Sequence, residues 1–146
     1  MSQSKFVELE PQEQIATFAA GCFWDVQHRF ERVAGVVDTR AGFVNVAKPR
    51  NPDAEAVQVK FDTSQVSFKD LLDIFWTMHD PTHATMQKTL YRSGIYTHSE
   101  DQRADAHLAK KTKALDQDIV TEIEPIGSFY PAIESHQRYR QKRGSM

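Results

Sequence analysis

The stretch I-A-T-F-A-A-G-C-F-W-D-V-Q-H-R-F-E-R-V, residues 15–33, changes its apolar pattern at a single point. Ile15 to Ala20 form a short apolar run bounded by Gly21, which predicts a buried strand. Beyond this glycine, apolar residues recur at helical spacing and predict an amphipathic helix ending near Gly35. These apolar positions are Phe23, Val26, Phe30 and Val33. The stretch therefore predicts a strand that passes directly into a helix.

The chain beyond this stretch repeats the alternation of strand and helix patterns. Two further helices are predicted to open at Ser67 and Ser99, each followed three positions later by a residue that suits a capping box. The first of these helices closes before Pro81, and the second runs to about Leu115. Short apolar or alternating segments predict the remaining strands. They are Val36–Phe43, Val57–Phe61, Ser93–Tyr96 and Ile119–Ile123.

The predicted order of elements is βαββαβ followed by αβ, and the first six have the ferredoxin-like order. We therefore expect an α+β fold, a ferredoxin-like two-layer sandwich with helices on one face of the sheet. Pro49 and Pro52 break the loop after the second strand, and the chain beyond Gly127 is expected to be a coil over the surface. Since no repeat or linker divides the chain, residues 1–146 are expected to form one domain.

The charge of the chain argues against some classes of partner. The formal net charge is −2, and both signs are spread along the sequence, so neither nucleic acid nor an anionic membrane is an expected partner. The basic segment Arg138–Arg143 is interpreted as a solvated terminus. No apolar run approaches membrane-spanning length, and the N-terminus lacks the apolar core of a signal peptide. We therefore expect a cytoplasmic protein, and a monomer because no exposed apolar stripe is evident.

Cys22 is the single cysteine of the chain and lies where the predicted strand gives way to the helix. The first turn of a helix offers free N–H groups and a partial positive charge, which stabilise the nucleophilic thiolate. Position alone also fits a buried structural cysteine, because free cysteine is among the most buried residue types. One cysteine excludes an intramolecular disulfide and a zinc site with several thiolates, and it suits a reducing cytoplasm.

The two aromatic residues after Cys22 are predicted to have different surroundings. Adjacent positions on a helix lie about 100° apart, so the rings of Phe23 and Trp24 cannot share one buried face. Phe23 continues the apolar stripe of the helix, whereas Trp24 is expected near the surface beside the thiol. Aromatic rings around a nucleophile would form a pocket for a small apolar group.

Several segments resemble the A-type peptide methionine sulfoxide reductases, in order from about Ala16 to Tyr139. Each motif is weak alone, but together they cover most of the chain. The resemblance implies thiol-dependent reduction of the S-epimer of methionine sulfoxide, free or in proteins, as a repair reaction. The segments are G-C-F-W (21–24), A-E-A-V (54–57), F-D-T-S-Q-V-S-F-K-D-L-L-D-I-F-W-T-M-H-D-P-T (61–82), Y-R-S-G-I-Y (91–96), V-T-E-I (120–123), F-Y-P-A (129–132) and His136-Gln137.

The resemblance also implies roles for individual residues. Cys22 matches the nucleophile, which attacks the sulfoxide sulfur and becomes a sulfenic acid. Glu55 matches the acid that protonates the departing oxygen, and Tyr91 matches a tyrosine that hydrogen-bonds this oxygen. A carboxyl group can donate a proton near neutral pH only where burial raises its pKa. Phe23 and Trp24 match the pocket for the substrate methyl group. Without the resemblance, Glu55 and Tyr91 would be interpreted as solvated residues.

The sequence departs from the family pattern close to these positions. Phe43 occupies a substrate-binding position where the family usually has a tyrosine, so one hydroxyl partner of the oxygen is missing. Met86 stands where the family has an aspartate, and Leu90 where it has a glutamine. The histidine of the family's His-Ala-Glu is Asp53, and the loops after Gly42 and around Met86 are shorter. Loss of two polar partners of the oxygen would slow the reaction or change the substrate.

A chain with one cysteine cannot resolve its own sulfenic acid with a second cysteine. The resemblance therefore implies an external thiol reductant, which would be thioredoxin, glutaredoxin or a small thiol, and no bound cofactor. The partners expected are this reductant and oxidised methionine in proteins or peptides.

Two other hypotheses remain open. The chain could be a non-catalytic relative that binds sulfoxides or peptides, or that senses oxidants through Cys22, a hypothesis motivated by Phe43 and Met86. It could also catalyse another cysteine-centred reaction such as acyl transfer, for which His28 or His136 would have to act as base. The six histidines form no recognisable metal-ligand motif, and His79 suits a role at a helix C-terminus.

Overall fold

The computed structural model describes residues 3–46 and 53–133, in which five strands close into a barrel. The strands are β1 (Glu13–Ala20), β2 (Val36–Val46), β3 (Ala54–Asp62), β4 (Ser93–Thr97) and β5 (Glu122–Pro131). The helices are α1 (Gln3–Phe6), α2 (Phe23–Glu31), α3 (Phe68–Trp76) and α4 (Glu100–Lys113), with a 3₁₀ helix at Ala84–Lys88. No helix in these ranges is long and apolar enough to cross a membrane.

The mixed α/β class and the predicted order βαββαβ followed by αβ are confirmed. Strands β1 to β4 pair antiparallel in the order β4-β1-β3-β2, with β3 inserted between β1 and β2. The predicted ferredoxin-like two-layer sandwich is not what the structure shows, because β5 pairs antiparallel with β2 and parallel with β4. This strand joins the two edges of the sheet, so the sheet has no free edge.

The last strand is longer and later than the sequence predicts. Instead of Ile119–Ile123 followed by a coil after Gly127, it spans residues 122–131. Its two prolines and its glycine are the residues that normally indicate a turn. The register shifts between Asn45 and Val46, which leaves Gly127 as the extra residue of a bulge. A Cβ at Gly127 would lie 2.7 Å from the Asn45 carbonyl oxygen, so the close approach requires glycine.

The main core lies between the helices and one face of the barrel wall, which we call the helix face. Phe18 of β1 stacks on three aromatic rings there, with centroid distances of 5.2 Å to Phe30, 5.9 Å to Phe68 and 5.3 Å to Phe75. The capping box predicted at Ser67 is present, since the Ser67 hydroxyl accepts from the Asp70 N–H and the Asp70 carboxylate accepts from the Ser67 N–H. This aromatic core fixes α2 and α3 against β1.

The opposite face of the wall, the barrel interior, carries hydrogen-bonded polar side chains. Gln58 donates to the Thr17 hydroxyl at 3.2 Å and accepts from Arg40 Nε at 2.7 Å, and Thr17 also pairs with His98 Nε2 at 2.7 Å. The Lys60 ammonium, which is 3% exposed, donates to the carbonyl oxygens of residues 5 and 8 at the end of α1. These polar side chains of the interior therefore have hydrogen-bond partners within the protein, and they lie beside an apolar cluster that includes Val44, Ala56 and Phe129.

Some sequence predictions fall partly or wholly outside the described residues. β2 continues through Val46, so the loop predicted to begin at Val44 starts later. Pro49 and Pro52 lie outside the described residues, as do His136 and the basic segment Arg138–Arg143.

Candidate active site

Cys22 is the N-cap residue of α2 and follows directly on the turn that ends β1. Gly21 makes this turn with a φ of +94°, a conformation that favours glycine. Cys22 itself is extended, its side chain makes no capping hydrogen bond, and it is partly exposed. The predicted strand-to-helix position is confirmed, and the thiol lies beside the free N–H groups of the first helical turn.

Glu55 of β3 reaches the same helical turn from the neighbouring part of the barrel wall. Its Oε1 accepts a hydrogen bond from the N–H of Phe23, the first residue of α2, at 3.1 Å. This N–H is one of those that no helical carbonyl can satisfy. The structure therefore brings a carboxyl group to the residue that follows Cys22, although the two residues are separated by more than thirty positions in the chain.

A hydrogen-bonded loop positions Tyr91 beside Glu55. The N–H of Glu55 donates to the carbonyl oxygen of Leu90 at 2.7 Å, which joins β3 to the residue before Tyr91. The amide side chain of Gln87 closes the loop by accepting from the Ser93 N–H at 2.7 Å and donating to the Ser93 carbonyl at 3.0 Å. The Tyr91 N–H donates to the hydroxyl of Thr89 at 3.1 Å.

The electrostatics of Tyr91 reflect the proximity of both other candidate residues. The charge of Glu55 raises the pKa of the Tyr91 hydroxyl, with smaller contributions in the same direction from burial and from Cys22. Tyr91 is therefore neutral at physiological pH, and its hydroxyl is available as a hydrogen-bond donor. The side chain is 42% exposed, so its hydroxyl is accessible to a substrate.

The three aromatic residues predicted to bind substrate lie next to one another on the helix face. Phe23 is buried, while Trp24 and Phe43 are half-buried. The Phe23 ring lies 6.2 Å from the ring of Trp24 and 5.6 Å from that of Phe43. Phe43 is the cross-strand partner of Glu55, so both residues face α2. The different burial predicted for Phe23 and Trp24 is confirmed.

A cavity of about 240 Å³ lies beside Tyr91. Gly21, Met86 and Tyr91 contribute to its wall, as does His79. Burial lowers the pKa of His79, and its Nε2 lies 2.6 Å from the Ser93 hydroxyl. His79 therefore supports the start of β4 as a neutral residue, two residues beyond the C-cap of α3.

A second cavity of about 200 Å³ is lined by Cys22 itself. It lies along α2 and shares no lining residue with the cavity beside Tyr91. The other residues around it are Ala20, Asp25, Val26, Arg29 and Met78.

Sequence reasoning missed the residues that position the site. No motif indicated the contact between the Leu90 carbonyl and Glu55, because a backbone bond depends on pairing between distant segments. Gln87 stands inside the short polar loop around Met86, where it gave no distinct signal. Within residues 3–46 and 53–133, no group of three or more His, Cys, Asp or Glu side chains is arranged to hold a metal ion.

Comparison with known proteins matches nearly the whole chain to one family. Residues 14–145 match the family model of peptide methionine sulfoxide reductase. The peptide methionine sulfoxide reductase MsrA of Methanoculleus marisnigri is 45% identical, over 88% of this chain and 90% of its own length. Methionine sulfoxide reductase A of Corynebacterium diphtheriae is 29% identical with a TM-score of 0.78, over 92% of this chain and 77% of that one. Mxr1 of Saccharomyces cerevisiae in complex with Trx2 is 28% identical with a TM-score of 0.71, over 90% of both chains.

Proposed function

The chain belongs to the peptide methionine sulfoxide reductase family, and we propose that it reduces methionine sulfoxide to methionine with Cys22 as nucleophile. The observation that carries this proposal is the contact between Glu55 Oε1 and the Phe23 N–H at 3.1 Å. This contact supports the proposal because it brings a carboxyl group to the residue after a partly exposed thiol, and the reaction needs a nucleophile and a proton donor. The proposed role is repair of oxidised methionine in peptides and proteins.

In the first step the Cys22 sulfur attacks the sulfoxide sulfur. The S–S bond formed by this attack and the S–O bond both break as the oxygen moves to the Cys22 sulfur, which becomes a sulfenic acid, and methionine leaves. The sulfoxide sulfur gains two electrons and the cysteine sulfur loses two, so no other redox partner is needed at this stage. One proton must reach the oxygen as the S–O bond breaks, and Glu55 supplies it in our proposal.

Tyr91 acts as a hydrogen-bond donor to the same oxygen. Its hydroxyl is neutral at physiological pH, because a phenol has an ordinary pKa of about 10 and the surroundings of Tyr91 raise it further, so it can donate to an oxygen that gains negative charge. Phe43 offers no second hydroxyl, so the oxygen has fewer donors than the family pattern provides. We expect a slower reaction as a result.

Phe23, Trp24 and Phe43 form the apolar side of the substrate site. The methyl group is the apolar part of the substrate next to its sulfur. The rings of Trp24 and Phe43, at 6.2 Å and 5.6 Å from that of Phe23, suit its burial. This arrangement would orient one sulfur epimer toward Cys22, and we expect selectivity for the S-epimer.

An external thiol completes the proposed cycle. The thiol displaces water from the Cys22 sulfenic acid and forms a mixed disulfide, and a second thiol releases the reduced Cys22 as a disulfide forms between the two reductants. The yeast relative Mxr1 has been crystallised with Trx2, which supports a thioredoxin-type reductant as one candidate. A single free cysteine suits the reducing cytoplasm that we propose as the location.

The test is turnover of each epimer of a methionine sulfoxide peptide with excess dithiothreitol, by the wild type and by Cys22→Ser. We expect S-selective turnover that falls about a thousandfold or more in the variant, because the nucleophile is lost. A thermal melt of the variant provides the control for folding. Full activity in Cys22→Ser would contradict the mechanism.

The same experiment distinguishes the second candidate, a relative that binds sulfoxides or senses oxidants through Cys22. Met86 and Phe43, which replace polar residues near the oxygen, favour this alternative. It predicts a sulfenic acid on Cys22 after oxidant treatment, together with no turnover of either epimer.

A further inference from the structure

The cavity along α2 gives Cys22 a second approach that the sulfoxide chemistry does not use. Its lining contains the thiol and two charged side chains of the same helix, Asp25 and Arg29. These two residues lie four positions apart and therefore on one helical face. Glu55, Tyr91 and Phe43, which form the proposed sulfoxide site, do not line this cavity.

Arg29 has hydrogen-bonding capacity that the protein does not use fully. Its guanidinium group donates to the Thr77 hydroxyl at 3.0 Å and to the Thr77 carbonyl oxygen at 3.4 Å. A guanidinium group has five N–H donors in a planar fork that matches a carboxylate. No carboxylate of the described residues forms an ion pair with Arg29.

The size of the cavity restricts its occupant. About 200 Å³ is below the usual range for drug-sized ligands, so only a molecule of few heavy atoms would be enclosed. The Arg29 guanidinium group in the lining complements a carboxylate on such a molecule. Met78 and Val26 supply an apolar wall for the remaining carbon atoms.

We infer that this cavity binds the reductant, and that the reductant class it fits is a small thiol that carries a carboxylate. The inference rests on the proposed function, which creates a sulfenic acid on Cys22 that an external thiol must reduce. The bound thiol attacks the Cys22 sulfur, an S–S bond forms, the S–O bond breaks, and the oxygen leaves as water after taking one proton from the thiol. A second thiol then reduces the mixed disulfide, so that each cycle consumes two thiols and releases one disulfide.

The two half-reactions can be tested separately. In the first, the chain is mixed with excess methionine sulfoxide and no thiol, and methionine and the Cys22 sulfenic acid are quantified. One methionine per chain supports the proposed function, and none contradicts it, whatever the reductant is. This result is expected to be the same for the wild type and for all variants of Arg29.

In the second half-reaction, the preformed sulfenic acid is mixed with L-cysteine or with cysteamine, which lacks only the carboxylate. We expect L-cysteine to react with the wild type about fivefold faster than cysteamine, with a hyperbolic dependence on its concentration, because a partly solvated ion pair contributes up to about this factor. Arg29→Ala should remove the preference, and Arg29→Lys should restore part of it. High salt should weaken the preference in the wild type.

Arg32→Ala provides the matched control, because Arg32 is an exposed arginine at the end of the same helix that does not line the cavity. It should keep the full preference for L-cysteine. Equal rates for the two thiols in the wild type would overturn the inference, as would a preference that survives in Arg29→Ala. It would also be overturned if a thioredoxin reduced the sulfenic acid faster than saturating L-cysteine and equally fast in Arg29→Ala.

Discussion

The two faces of β3 carry polar side chains for different purposes. On the helix face, Glu55 is half-buried and binds the first N–H of α2 beside the partly exposed Cys22. In the barrel interior, Gln58 and Lys60 are each 3% exposed and have hydrogen-bond partners within the protein. Polar groups that the fold satisfies internally stabilise it, whereas groups at a partly open edge can bind another molecule.

The largest effect should come from changing the polar group on the helix face. Glu55→Gln keeps the size and an acceptor oxygen for the Phe23 N–H but removes the acid, so kcat should fall about a hundredfold or more. The free energy of unfolding in urea should change by less than about 0.5 kcal/mol. Glu31→Gln is the matched control, because Glu31 also accepts a hydrogen bond, from Thr39, but lies at the far end of α2. If the two variants turned over the peptide equally well, Glu55 would not be the acid.

Removing a polar side chain from the barrel interior should lower the free energy of unfolding and leave kcat unchanged. Gln58→Leu removes the acceptor of Arg40 Nε and the donor to Thr17, so the N–H at Nε of a half-buried guanidinium group loses this partner. We expect a loss of about 2 kcal/mol in the free energy of unfolding, with kcat unchanged at a temperature where the variant is folded. Gln14→Leu, at an exposed position of β1, should cost less than about 0.5 kcal/mol. A fall in kcat for Gln58→Leu would contradict this division between the faces.

The sequence predicts the helix face better than the barrel interior for a physical reason. The turn at Gly21, the apolar stripe of α2 and the Ser67 cap each depend on residues that are close in the sequence. A short sequence window is therefore enough to predict them. Closure by β5 depends on pairing with β2 and β4, and the strand itself contains proline and glycine, which indicate turns. The Arg40 guanidinium lies over the rings of Phe6 and Phe129. This contact joins three segments that are distant in the sequence, so no local sequence pattern predicts it.

The candidate active site also depends on contacts between distant segments that the sequence does not predict. The position of Cys22 follows from the sequence, and Glu55 and Tyr91 were identified through family resemblance. Their proximity depends on the bond between the Leu90 carbonyl and Glu55 and on the loop that Gln87 closes. The cavity that Arg29 lines also requires the end of α3 to lie against α2, which spacing along the chain does not reveal.

A smaller effect should follow from restoring a hydroxyl on the helix face. Phe43→Tyr places a phenol opposite Glu55, and one additional hydrogen bond to the departing oxygen should raise kcat about tenfold. Phe129→Tyr is the matched control, because Phe129 belongs to the cluster of the barrel interior and contacts Arg40. It should not raise kcat. No gain in Phe43→Tyr would mean that position 43 does not face the oxygen.

The smallest effect should be a pH dependence of stability that comes from the barrel interior. Burial, together with the charge of Arg40, lowers the pKa of His98 to about 4, whereas the unfolded residue titrates near 6.5. Between pH 6.5 and pH 4, His98 is therefore protonated in the unfolded chain but neutral in the folded protein. The free energy of unfolding falls as the pH decreases through this range. Because more than a third of the His98 surface is exposed, the loss between pH 7 and pH 5 should be no more than about 1 kcal/mol.

Urea unfolding of His98→Gln should show a weaker pH dependence than the wild type, while His107→Gln, an exposed histidine on α4, should match the wild type. If His98→Gln kept the full decline, a different group would be responsible, and the next to test is His79, whose pKa burial also lowers.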